Sequence, residues 1–172
     1  MMKLWRFAAF LILTLILVAC SGGSPSEVEA EAEVESGRSS GSIDFPFMGV
    51  AELDKYLADN VGKPTMVLFW TTWCPSCKQE IPEMEQLNKS HGDKMNIITI
   101  SLDEKVEALD EFFKNGKLDL PVYWGDDAIA RKFEISAIPS LVIFNKEGKK
   151  TFGQAGIFPH SMLKAMADNL IK

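Results

Sequence analysis

Metal-ligating and redox-capable side chains are scarce in this sequence: 172 residues hold three cysteines and two histidines. A structural zinc site takes four ligands, and there is no second cysteine pair to supply them. Basic charge is also thin. Lysine and arginine number 18 against 24 acidic residues, for a formal net charge of −6. No Lys/Arg-rich patch or helix occurs, which argues against nucleic acid as a partner. No internal repeat is visible. The longest apolar run, Phe7 to Ala19, has Thr14 as its single polar member and is short for a spanning helix, which needs about 20 residues. The length suits one domain with a core of its own.

What is present begins with an export signature. Lys3 and Arg6 precede the apolar run, giving a charged n-region followed by an h-region. The run stops at "LVAC", Leu17 to Cys20, which resembles a bacterial lipobox, with cleavage before a cysteine that becomes lipidated. Residues 1–19 are therefore expected to be a lipoprotein signal peptide and Cys20 the lipidated first residue. Losing Lys3 and Arg6 would leave 16 basic residues against 24 acidic ones, a mature charge of about −8. Residues 21–42 are mostly Ser, Gly, Glu and Ala, with almost no large apolar residue and with glutamates at 27, 29, 31, 33 and 35. Such a stretch buries too little apolar surface to offset its ordering entropy, and like charges extend it. Residues 20–42 are thus expected to tether a folded domain, 43–172, to the extracytoplasmic side of a bacterial membrane.

Within that domain the patterning alternates. "GVAELDKYLADNVG" has helical spacing, with Leu53, Tyr56 and Leu57 on one side. "PTMVLFW" is a short apolar run expected to be a buried central strand, and "MNIITISL" is expected to be a second buried strand. Residues 75–90 predict a helix interrupted by Pro82. "DEKVEALDEFFKNG" predicts a helix with Val106, Leu109, Phe112 and Phe113 inward and Gly116 as its stop. A short strand "PVYW", a short helix opened by Asp126, a hairpin over "SLVIFNKEGKKTFG" and a closing helix follow. In the closing helix Met162, Leu163, Met166 and Leu170 share a face. This order argues for an α/β sandwich.

If Cys20 carries lipid, Cys74 and Cys77 remain as one pair. A bridge between them closes almost no loop and would restrain the unfolded chain little, so it is a poor structural staple. It is better suited to chemistry. A cysteine at a helix start faces unpaired N–H groups and the positive end of the helix dipole, which favours the thiolate. Pro75 fits the first helical position because it has no N–H to lose. Cys74 is expected to attack and Cys77 to resolve.

"FWTTWCPSCKQEIPEM", residues 69–84, resembles the active-site segment of the thioredoxin superfamily. The shared features are Trp73 before the first cysteine, the two-residue spacer, Lys78 after the second cysteine, and Pro82 five residues beyond it. "EISAIPSLVIF" resembles the family's second motif, where an X-Pro step with a cis bond faces the disulfide; here it is Ile138-Pro139. The likeness spans roughly residues 45–172. It implies a thioredoxin-like α/β fold, a central mixed sheet flanked by helices. It also implies a redox-active Cys74–Cys77 disulfide and a substrate surface from Trp73, Pro75, Ile138 and Pro139. An additional helix-strand insertion near residues 103–124 is similar to TlpA/ResA-type thiol-disulfide oxidoreductases, membrane-anchored extracytoplasmic enzymes. That likeness implies reduction of disulfides in exported client proteins, apocytochrome c among them, and an upstream membrane electron donor. No cofactor or metal is implied.

One departure from thioredoxin bears on mechanism. The buried acid six residues before the first cysteine is replaced by Leu68. Glu80, one helical turn from Cys77, is the candidate to move the proton instead; the alternative is a solvated glutamate. Trp70, Phe112, Phe113, Tyr123 and Trp124 read as packing, Lys78 as surface, and His91 and His160 as exposed and idle. A different class of function stays open: copper binding or delivery through the cysteine pair and a distant histidine, for which "FPH" offers His160. Peroxidase chemistry on the same fold is a third reading, although its attacking cysteine sits in a different pattern.

Overall fold

The structure, a computed structural model, describes residues 44–172. The expected signal peptide (1–19), Cys20 and the tether through residue 42 lie outside the described residues. Within them, no helix is long and apolar enough to cross a membrane.

Ten elements follow in chain order: α1 (Val50–Asp59), β1 (Thr65–Trp70), α2 (Cys77–His91), β2 (Asn96–Ser101), α3 (Glu107–Phe112), β3 (Val122–Trp124), α4 (Asp127–Lys132), β4 (Ser140–Phe144), β5 (Lys150–Ala155) and α5 (His160–Leu170). The five strands form one mixed sheet in the order β3-β2-β1-β4-β5. β1 pairs parallel with β2, and β2 with β3; β4 runs antiparallel to both β1 and β5. The expected helix-strand insertion is α3 and β3, with β3 extending the sheet at its edge.

Every residue of β1 is buried because helices cover both faces. Its side chains alternate between two cores. Met66, Leu68 and Trp70 join Cys74, Cys77, Met84, Leu87, Leu109 and Leu163, contributed by α2, α3 and α5 and the loop before α2. Val67 and Phe69 join Leu53, Leu57, Ile129 and Phe133, contributed by α1, α4 and the α4 C-cap. Leu68 therefore lies on the cysteine side of the sheet. Asp126 caps α4 by accepting the Ile129 N–H at 3.0 Å, an interaction worth about 1 kcal/mol.

Five expectations need correction. Helix α2 runs without a break from Cys77 to His91 through Pro82: an interior proline donates no N–H bond and crowds the carbonyl four residues back, but the buried face of Ile81, Met84 and Leu87 holds the helix against the core. Its first residue is Cys77 and not Pro75, although the Lys78 N–H already reaches the Cys74 carbonyl at 3.3 Å. α3 is shorter than its sequence pattern: Asp103 is drawn out of the helix by hydrogen bonds of its own, and the helix stops at Phe112, before Gly116. Met162 is 48% exposed, and Ala167 takes the inward place beside Leu163. His91 is buried and occupied: Nε2 lies 3.1 Å from Asp168 Oδ1 and Nδ1 lies 2.7 Å from Ser90 Oγ, joining the end of α2 to α5.

Candidate active site

β1 delivers the chain to the site, and the sheet ends there. The Leu102 N–H donates to the Trp70 carbonyl at 2.8 Å, and a loop of Thr71, Thr72 and Trp73 leads to Cys74. Trp70 is wholly buried, its ring edge-on to Phe112 and Phe113. Trp73 is 70% exposed. A bare indole of that size beside two cysteines cannot be explained by the packing of this chain alone.

Cys74 and Cys77 form a disulfide. Cys77 is fully buried and Cys74 nearly so. The Cys77 N–H points at Cys74 Sγ from 3.1 Å, and Ser76 Oγ lies 3.3 Å from the same sulfur. Once the pair is reduced, these donors and the α2 N-terminus favour a thiolate at Cys74. Lys78 is exposed, with Nζ 5.6 Å from the centre of the Phe112 ring.

The far wall comes from the segment before β4. The Ile138-Pro139 bond is cis. The Ile138 carbonyl oxygen lies 3.9 Å from Cys74 Sγ. Pro139 is buried, Ile138 half-buried and Pro75 exposed. The Pro139 carbonyl accepts the Gly156 N–H at 2.9 Å, so the end of β5 steadies this wall.

Glu80 is fully buried, on the same turn of α2 as Cys77. Its Oε2 accepts the Phe158 N–H at 2.8 Å, and its Oε1 has no hydrogen-bond partner. Loss of water pushes its pKa up from 4.5 to about 7; the Phe158 N–H opposes this and the Glu83 charge adds to it. The alternative of a solvated helix glutamate is excluded by that burial. Phe158 went unnoticed in the sequence because its part is played by a backbone N–H, which any residue except proline could supply.

His160 does not join the cysteines in any cluster. Its Nδ1 lies 3.9 Å from Glu83 Oε2, and it is half-buried instead of exposed. Among the described residues, no group of three or more His, Cys, Asp or Glu side chains could hold a metal ion.

Comparison with known proteins agrees with this geometry. A family model described as thioredoxin-like matches residues 62–150. The thioredoxin-like protein YneN of Bacillus subtilis is 26% identical over 151 residues, covering 86% of this chain and 87% of that protein. The thiol-disulfide oxidoreductase ResA of the same organism is 30% identical over 118 residues, covering 67% of this chain and 65% of that protein. The crystal structure of StoA from Bacillus subtilis superposes with a TM-score of 0.55 at 27% identity, covering 63% of this chain and 84% of that one. With a cysteine pair at a helix start, a cis-proline wall against it and a matching family model over more than half its length, the chain belongs to the thioredoxin-like family as a thiol-disulfide oxidoreductase.

Proposed function

We propose that this protein is a membrane-tethered reductase of disulfides in exported proteins, held to the bacterial envelope by lipid on Cys20. The observation that carries the redox role is the Cys74–Cys77 disulfide with Glu80 buried one turn behind it. The tether and its location rest on the "LVAC" step and the acidic segment after it.

In the reduced enzyme the Cys74 thiolate attacks one sulfur of a client disulfide. A mixed disulfide forms, and the client's other sulfur leaves as a thiolate. Cys77 gives its proton to the Glu80 carboxylate and attacks Cys74 Sγ. The Cys74–Cys77 bond forms, and the first client sulfur departs and takes up a proton. The client gains two electrons and the enzyme pair loses two, which an upstream membrane electron donor must return. Trp73, Pro75, Ile138 and Pro139 form the surface on which the client lies. The backbone at Ile138, beside Cys74 Sγ, would offer an extended client segment an edge to pair with. Apocytochrome c is a candidate client, in line with the resemblance to TlpA/ResA-type enzymes.

A trapping experiment tests the assignment. Cys77→Ser should accumulate a mixed disulfide with a client such as insulin, because nothing remains to release it, and Cys74→Ser should not. Trapping by Cys74→Ser alone would reverse the two roles. Stoichiometric Cu(I) binding by the reduced protein, without turnover of any disulfide, would favour the metal-delivery reading.

A further inference from the structure

The inserted segment leaves the sheet at Asp103 and rejoins it as β3, and its two ends touch. The Trp124 Nε1–H donates to the Asp103 carbonyl at 2.8 Å. Asp103 is 4% exposed, and its carboxylate faces the loop before Cys74. Oδ2 accepts the Thr72 N–H at 2.9 Å and Oδ1 accepts the Thr72 hydroxyl at 2.8 Å. Ser101 Oγ donates to Oδ2 at 2.6 Å, and the Asp103 N–H returns to Ser101 Oγ at 3.1 Å.

We propose that Asp103 is a positioning residue for Cys74, acting through Thr72. Three donors converge on its two oxygens, an arrangement that only an acceptor-only side chain satisfies. Thr72 lies two residues before the attacking sulfur, and its neighbours do not fasten the loop. Thr71 Oγ1 is buried with no hydrogen-bond partner, and Trp73 projects into solvent. The next backbone bond, from the Cys74 N–H to the Thr71 carbonyl, is long at 3.4 Å. Cys74 gains its stabilised thiolate only if Sγ stays in line with the Cys77 N–H. The Thr72–Asp103 latch sets that alignment from the loop side. The insertion thus reaches the redox pair at two points: Phe112 and Phe113 brace Trp70 at the end of β1, and Asp103 holds Thr72. This role rests on the reading of Cys74 as the attacking cysteine.

The test compares variants of the reduced full chain by the pH dependence of Cys74 alkylation with iodoacetamide, mapped by peptide mass. Thr72→Val removes one donor and keeps the backbone bond. Thr72→Ser keeps both. Asp103→Asn places an amide donor where only acceptors fit. Asn145→Ala is the stability control: its Oδ1 accepts the Glu147 and Lys149 N–H groups in the β4–β5 turn, at the end of β4 away from Pro139. Thr72→Val and Asp103→Asn should slow Cys74 alkylation at pH 7 by at least about three-fold and move the midpoint of the profile upward. Thr72→Ser should restore both. Asn145→Ala should lower the unfolding midpoint and leave the alkylation profile in place. If Asp103→Asn fails to fold, the Thr72 pair carries the test. A Thr72→Val profile coincident with the wild type, or one displaced equally by Asn145→Ala, would overturn the latch. Wild-type alkylation at Cys77 ahead of Cys74 would instead overturn the assignment of the cysteines.

Discussion

The carboxyl of Glu80 makes stability depend on pH in a direction opposite to that of most acidic side chains. It is fully buried with a single hydrogen bond, and loss of water raises its pKa from 4.5 to about 7. Below pH 4.5 the folded and unfolded chains both carry the proton. Between 4.5 and 7 the unfolded chain gives it up and the folded chain keeps it, so the unfolded state gains ground as pH rises. Above 7 the loss is complete. At ~1.4 kcal/mol per pH unit, the gap between 4.5 and about 7 amounts to roughly 3 kcal/mol. That is a large share of a typical domain's 5–15 kcal/mol or so. Glu80→Gln removes the titration and can still accept the Phe158 N–H. The assay is urea unfolding of the oxidised wild type and Glu80→Gln at intervals from pH 4 to 8.5. The difference between the two curves cancels every other group that titrates in the range. Wild-type stability should fall relative to Glu80→Gln by about 3 kcal/mol across the window, with a midpoint between the two pKa values. Parallel curves would mean that Glu80 titrates in the folded state as it does in water, and its part in proton transfer would fall with that result.

Two further outcomes bear on the client surface and the anchor. Trp73→Ala should leave stability within about 0.5 kcal/mol, as expected of an exposed position, and raise KM for a protein client about ten-fold, in keeping with an aromatic contact worth 1–2 kcal/mol or so; an unchanged KM for protein clients would remove Trp73 from the surface. Expressed in a bacterium, Cys20→Ala should lose membrane association and acyl-chain mass, whereas a variant that stays with membranes through an uncleaved N-terminus would indicate a plain peptide anchor.

What could be read in the sequence was local. The cysteine pair, its Trp and Pro neighbours, and the Ile138-Pro139 step are short motifs whose meaning depends on adjacent residues. The runs at 65–70 and 96–101 carry Met, Val, Leu, Phe, Trp and Ile at successive positions because both faces of those strands are covered. What escaped depends on contacts between distant segments. Asp103 meets Thr72 across 31 positions, and Glu80 meets the Phe158 N–H across 78. No periodicity encodes either one. His91 looked idle because α2 is polar on average, and only the docking of α5 closes over it and brings Asp168 to its ring. Met162 and Ala167 exchanged roles for a similar reason: helical spacing allows either face, and the fit against Leu163 and α2 selects the smaller residue.

An acid on the helix at position 80, with Leu68 on the strand, has a physical consequence. Leu68 faces the same core as both cysteines, between Thr99 of β2 and Leu141 of β4 in register. A carboxylate there would sit in the middle of the sheet, with backbone groups already paired to one another on both sides. At position 80 the acid reaches the loop before α5 and finds one free N–H, that of Phe158. One donor fixes the orientation of the carboxyl without offsetting the loss of water. A second donor on Oε1 would favour the charged form further and draw the pKa back toward the ordinary carboxylate range. Burial, opposed by the single Phe158 donor and reinforced by the Glu83 charge, is what raises the Glu80 pKa to about 7. An acid with a pKa close to the working pH can both accept a proton and return it, which is what the proposed attack of Cys77 on Cys74 asks of Glu80 within one cycle.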